Sequence, residues 1–227
     1  MTRTRLMSAK YISRISLRSI SLCSILLLLL ASPVFAGTGT FGSYIGVDDG
    51  GGNTFYGASQ PGSNFLTAFD GHGLGTYTVG DSLLLSGAEL LTWKSDGGDV
   101  TNAFVSYNVH LNSASAGTFN TVTVSWTSNS PLNDAAGNTF SGSGDQKWAN
   151  INLTPDLMSG LGAGSYEVEV YFMATTNEGD RYSNNGGSNY VATFDVNAAP
   201  SGVPEPAALL MAFAGLLSLV AFSRRRR

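Results

Sequence analysis

Apolar and polar positions alternate with a period of two through much of this chain. Tyr166, Val168, Val170 and Phe172 alternate with Ser165, Glu167, Glu169 and Tyr171, the pattern of a strand with one face in a core and one in water. Val122, Val124 and Trp126 alternate with Thr121, Thr123, Ser125 and Thr127 in the same way, which predicts a strand with Trp126 on its buried face. Val105, Tyr107, Val109 and Leu111 mark a third strand, and Tyr190, Ala192, Phe194 and Val196 a fourth. Weaker runs at 41–47, 54–56, 65–69, 76–79 and 89–94 bring the number to about nine. Between them lie turn residues such as Asp48-Asp49-Gly50-Gly51-Gly52-Asn53, Asp96-Gly97-Gly98-Asp99 and Asn184-Asn185-Gly186-Gly187. Only 155–161 reads as helical, for one or two turns, with Thr154 as cap, Pro155 in the first turn and Gly162 as stop. Many short strands with one polar face predict an all-β fold, an antiparallel β-sandwich of jelly-roll or immunoglobulin type, with a barrel as second choice.

The periodicity fails at both ends, and differently at each. Residues 1–36 hold Arg3, Arg5, Lys10, Arg14 and Arg18, no acid, then an apolar run and the small-residue exit Val34-Phe35-Ala36. That is the layout of a signal peptide, with cleavage expected between Ala36 and Gly37. Cys23, the one cysteine, falls in the segment removed, so the mature chain is expected to carry neither a disulfide nor a thiolate metal ligand. At the other end, a small-residue linker at 198–202 leads into Pro204-Glu205-Pro206. An uncharged stretch at 207–222 follows, then Ser223 and four arginines, Arg224, Arg225, Arg226 and Arg227. At 1.5 Å per residue the uncharged stretch reaches about 24 Å, a marginal bilayer span. The arginines should hold the tail in the cytoplasm and leave the β-rich part outside.

The C-terminal arrangement resembles the PEP-CTERM sorting signal of Gram-negative bacteria. In that signal a Pro-Glu-Pro motif, a short apolar helix and a basic tail are recognised together by exosortase, a membrane protease/transpeptidase. The resemblance covers 203–227. It implies that Pro204, Glu205 and Pro206 are read by the processing enzyme and that the helix anchors the chain only transiently. A plain tail anchor is the alternative. A second resemblance spans nearly all of 37–197. Gly42-Ser43-Tyr44-Ile45, Thr92-Trp93-Lys94, Gly144-Asp145-Gln146-Lys147-Trp148 and Glu169-Val170-Tyr171-Phe172 look like a β-rich module that recurs in secreted bacterial proteins. It implies a fold and an extracellular setting, and no activity.

Charge sharpens the division. The chain as a whole has 12 basic and 16 acidic residues. All the acids lie between Asp48 and Glu205, where Lys94, Lys147 and Arg181 are the only cations, so that stretch carries a net −13. Such a surface repels phosphate backbones, and nucleic acid is excluded as a partner.

Candidate chemistry is sparse. Gly80-Asp81-Ser82-Leu83 matches the nucleophile block of GDSL esterases. Those enzymes need a histidine base, usually in a downstream Asp-x-x-His, and the position three before His110 is Tyr107. His72 and His110 have no partner at metal-ligand spacing. Asp48, Asp49, Asp96, Asp99 and Asp180 sit on turns with oxygen-rich neighbours and are the calcium candidates, although turns select the same residues for backbone reasons. Trp93 and Trp148 are the candidate glycan contacts, with Tyr56, Tyr182 and Tyr190 as further aromatic platforms. Glu167 and Glu169 share a strand face, about 6.5–7 Å apart, a spacing that a solvated strand face explains without a cleft.

These readings converge on an exported protein of the cell surface or exopolysaccharide matrix. It would have a structural or adhesive role, no enzymatic activity and no cofactor. Its expected partners are signal peptidase, exosortase and extracellular polysaccharide, with the inner membrane as a transient anchor. The alternative is an extracellular glycan-binding module, assisted by calcium.

Overall fold

A computed structural model describes residues 37–200 together with Met211 and Ala214. The expected signal peptide, sorting motif and arginine tail lie outside the described residues, as does the expected helix at 207–222 apart from those two positions. Among the described residues, no helix is long and apolar enough to cross a membrane.

The fold is all-β and sandwich-like. One sheet has the order β2-β1-β4-β10-β7, built from β1 (Gly37–Asp48), β2 (Thr54–Ser59), β4 (Leu84–Ser95), β7 (Trp126–Asn129) and β10 (Asp145–Asn150). The second has the order β3-β13-β11-β5-β6, from β3 (His72–Thr78), β5 (Val100–Leu111), β6 (Asn120–Val124), β11 (Gly164–Thr176) and β13 (Tyr190–Asn197). β12 (Arg181–Ser183) adds to β11 beyond the end of β13, and β8 (Leu132–Asn133) and β9 (Thr139–Phe140) form a small hairpin. Among the described residues, all strand–strand pairings are antiparallel except β3 with β13, which is parallel; the isolated bridge Gly57–Ala68 is also parallel.

The core lies between the sheets and follows from the alternation. Along β11 every second residue from Tyr166 to Ala174 is buried. These side chains meet Ile45, Leu85, Leu90 and Trp148 of the first sheet, so the apolar face of each strand is removed from water by the other sheet. Ser43, Ser183 and Tyr190 thread a chain of hydroxyls through the packed interior, with O···O distances of 2.9 and 3.0 Å.

The first sheet is covered on its outer face as well. Tyr44, Leu91 and Leu132 form a second small core with Phe41, Phe55 and Phe140, and the β8–β9 hairpin lies over it. A polar network pins that cover. The Tyr44 hydroxyl donates to Asp134 Oδ2 at 2.5 Å, Asn138 donates backbone and side-chain N–H to Asp134, and Ala135 N–H donates to Glu89. Lys147 Nζ sits 2.6 Å from Glu89 Oε2 and donates to the Asn133 carbonyl. Burial, then the hydrogen bond to the Asp134 carboxylate, lifts the Tyr44 phenol well above its usual range. Burial likewise raises Glu89, and Lys147 opposes that rise.

Four sequence expectations need correcting. The run 121–127 is not one strand: it breaks at Ser125, where the chain passes from the second sheet to the first. Trp126 therefore sits on the edge strand β7, in register with Trp148 but 53% exposed, because no strand lies beyond it. Segment 65–69 is not a strand and makes only one bridge, Gly57 to Ala68. Segment 155–161 is not helical. Its backbone pairs with the start of β4, through Leu85 N–H to the Pro155 carbonyl and Leu157 N–H to the Leu83 carbonyl, and the Asp156 carboxylate accepts from Leu83 and Met158. Those bonds, with Leu157 and Met158 buried as a plug, outweigh a local helical preference.

Candidate functional site

Trp148 is not a surface platform. It is 6% exposed, packed in the core, and its indole N–H donates to the Thr92 hydroxyl at 3.1 Å. β10 is a central strand, so its inward residues have no route to water. Trp93 is 38% exposed on the outer face of the first sheet, with its ring laid across Gly37 and Gly39, where any Cβ would collide with the indole. Of the tyrosines, Tyr190 is buried, Tyr56 packs against His72 with ring centroids 4.8 Å apart, and Tyr182 is 49% exposed.

The calcium candidates fall into two separate groups: the Asp96–Asp99 turn meets the turn before Asp180, with Asp99 N–H donating to Asn177 Oδ1 and Asn177 N–H to the Asp99 carbonyl, while Asp48 and Asp49 lie apart. Asp48 pairs with Leu84 at one end of β1, whereas Gly37 pairs with Ser95 at the other, so Asp48 and Asp49 lie about 36 Å of strand from Asp96 and Asp99. Asp48 and Asp49 accept from the backbone N–H groups of Gly50, Gly51 and Gly52. Asp99 ion-pairs with Lys94 at 2.6 Å, which lowers its carboxyl from the ordinary range. Asp180 follows Glu178, whose carboxylate holds Arg181. Among the described residues, no three His, Cys, Asp or Glu side chains are arranged to hold a metal ion.

Among the described residues, no histidine base lies beside Ser82. The cleft next to it is lined by Asp48, Asp49, Gly50, Tyr77, Asp81 and Leu84, without a histidine. Asp81 is committed to a turn, accepting from Thr78 N–H at 2.7 Å. Gly80 has φ of +103°, the left-handed region that a turn here needs and glycine allows.

What the fold does assemble lies on the outer face of the second sheet. Antiparallel register sets His110 of β5 directly opposite Glu167 of β11, with Asn108 opposite Glu169 and Thr193 of β13 on the other flank of Glu167. His110 Nε2 is 3.5 Å from Glu167 Oε2 and 3.7 Å from Glu169 Oε1, both beyond ordinary hydrogen-bond length. The His110 side chain is only 9% exposed. Its Nδ1 meets Asn108 Oδ1 at 3.2 Å, and Asn108 is itself fixed, donating to the Thr118 carbonyl and accepting from Gly117 N–H. Glu169 Oε2 accepts from Asn189.

Two features continue this face. Towards β3 the surface sinks into a groove of about 390 Å³ lined by Gly73, Gly75, Asn112, Ser165, Thr193 and Asp195, where the glycines of β3 leave room. In the other direction, Phe119, Tyr171 and Tyr182 form an aromatic row with successive centroids 5.2 and 6.3 Å apart. The alternation in β5 and β11 put His110, Glu167 and Glu169 on outward faces. The adjacency of those two strands, which makes a site of them, was not readable. No protein-family model matches the chain, and no curated protein is significantly similar to it.

Proposed function

We propose that the protein is an exported β-sandwich of the cell surface or exopolysaccharide matrix, delivered by the signal peptide at 1–36 and processed by exosortase at the PEP-CTERM signal at 203–227. One observation carries this reading. Every described strand falls between Gly37 and Asn197, so the sheets account for the stretch between the two addresses. The acidic, cysteine-free character of that stretch fits an extracellular setting. The test is Glu205→Ala in a host that has exosortase. Membrane insertion should persist while a C-terminal epitope is retained and full-length chain accumulates. Epitope loss equal to that of the parent would reduce the tail to an anchor.

A second reading, glycan binding, is favoured by the outer face of the second sheet, which sets hydrogen-bonding side chains beside an aromatic row. Trp93, on the opposite face of the sandwich, stands alone. The calcium-assisted form has less support, because its carboxylates divide between opposite ends of β1 and β4. Retention of the exported chain on immobilised polysaccharides, lost on substituting Glu167 and Tyr171 but not Trp93, is the outcome this reading expects.

A further inference from the structure

We infer that the outer face of the second sheet binds a glycan bearing free primary amines, with the ammonium group held among His110, Glu167 and Glu169. The inference rests on the glycan-binding reading and names its ligand class.

The argument begins with an accounting of donors. Asn108 uses its Nδ2 on the Thr118 carbonyl and receives Gly117 N–H on Oδ1, which fixes the amide so that Oδ1 faces His110. Nδ1 of His110 is then the proton donor to Oδ1, and in the neutral ring Nε2 is a lone pair. Nε2 has no hydrogen-bond partner among the described residues and faces two carboxylate oxygens at 3.5 and 3.7 Å. With His110 neutral, three acceptors surround one spot that lacks a donor. A proton on Nε2 supplies one donor, whereas an ammonium group supplies three and a positive charge.

Among the described residues, no lysine or arginine is available for this role. Lys94 is paired with Asp99, Lys147 with Glu89 and Arg181 with Glu178, and these are the only lysine or arginine residues among the described residues. Among the described residues, Glu167 and Glu169 carry two negative charges against the one proton that His110 Nε2 can take, so further positive charge must come from a ligand. Asp195, its Oδ1 accepting from Ser165, adds a further carboxylate to the adjoining groove. From Ser165 to Tyr171 the outward positions of β11 run for about 20 Å, from that groove through the acceptor cluster to the aromatic row. This length suits an extended polymer rather than a single small cation. Aromatic faces accommodate sugar rings and also attract ammonium groups. Uronate polymers are disfavoured by like-charge repulsion, and neutral glycans bring no cation to Glu167 and Glu169.

The experiment uses the full chain in detergent micelles and measures binding of four soluble probes: a glucosamine oligomer, its N-acetylated counterpart, a uronate oligomer and a lysine oligomer of matched length. The glucosamine oligomer should bind at least about tenfold more tightly than the acetylated or uronate probes, because charge-assisted bonds at the ammonium are lost with the amine. Glu167→Gln with Glu169→Gln should remove that preference, and Tyr171→Ala should weaken binding, while Asp48→Asn with Asp49→Asn leaves it intact. Circular dichroism confirms that each variant is folded. Equal binding of free and acetylated oligomers overturns the amine assignment and leaves the glycan reading standing. A lysine oligomer that binds as well and responds to the same substitutions overturns the glycan assignment. If no oligosaccharide binds, both fail.

Discussion

Trp148 and Thr92 are joined inside the sandwich by a hydrogen bond of 3.1 Å between neighbouring strands, and both side chains are almost wholly removed from water. Thr92→Val keeps the shape and leaves the indole N–H without a partner, so it should cost about 1–3 kcal/mol. Trp148→Ala should cost about 3–5 kcal/mol. Chemical denaturation, followed by tryptophan fluorescence for the first variant and by circular dichroism for both, checks the order. A Trp148→Ala variant as stable as the parent would contradict its place in the core.

Lys147 and Glu89 are a largely buried pair beneath the β8–β9 hairpin. Lys147→Met strands Glu89 as an unpaired charge and should cost about 3–5 kcal/mol at neutral pH, measured by thermal unfolding. The hairpin should loosen first, seen as faster amide exchange around Ala135, which donates to Glu89.

The same residue sets a pH dependence. Burial raises the folded-state pKa of Glu89 above its unfolded value. The folded state then holds the proton more tightly between the two values, so stability from this group is fully present below the ordinary glutamate range. It is lost as pH rises through the raised value. Glu89→Gln should flatten that decline in urea midpoints measured across the acidic range. An unchanged slope would show that Glu89 is not its source.

Gly144 leads into β10 with φ of +94°, and a Cβ there would collide with the Lys94 carbonyl oxygen. Backbone cannot swing aside as a side chain can. Gly144→Ala should cost at least about 1–3 kcal/mol, whereas Gly50→Ala, also at positive φ but with open space around it, should cost less. Paired melting curves test the contrast.

The strands that could be read in advance are those with one wet face. β11 shows its alternation because its outward residues, Glu167 and Glu169 among them, remain partly exposed. β10 hides its own, since Asp145-Gln146-Lys147-Trp148 faces a core on one side and the hairpin's polar network on the other. Trp126 and Trp148 were misjudged for a single reason. Whether a strand is central or at an edge depends on partners far away in sequence, and alternation carries no record of them. The candidate site has the same character. Glu167 and Glu169 are legible as outward-facing, but their meeting with His110 is a matter of register between strands more than fifty residues apart.

The parallel pairing of β3 with β13 places the last strand between two others instead of at the rim of its sheet. A chain that crosses a membrane N-terminus first presents β3 long before the partner that fixes it. The second sheet cannot close until Asn197 has emerged, only a few residues ahead of the stretch expected to stop in the bilayer. Folding and arrest would thus occur almost together, and an enzyme working at 204–206 would meet a newly completed domain held close against the membrane surface. Lengthening the linker at 198–202 would separate the two events in space.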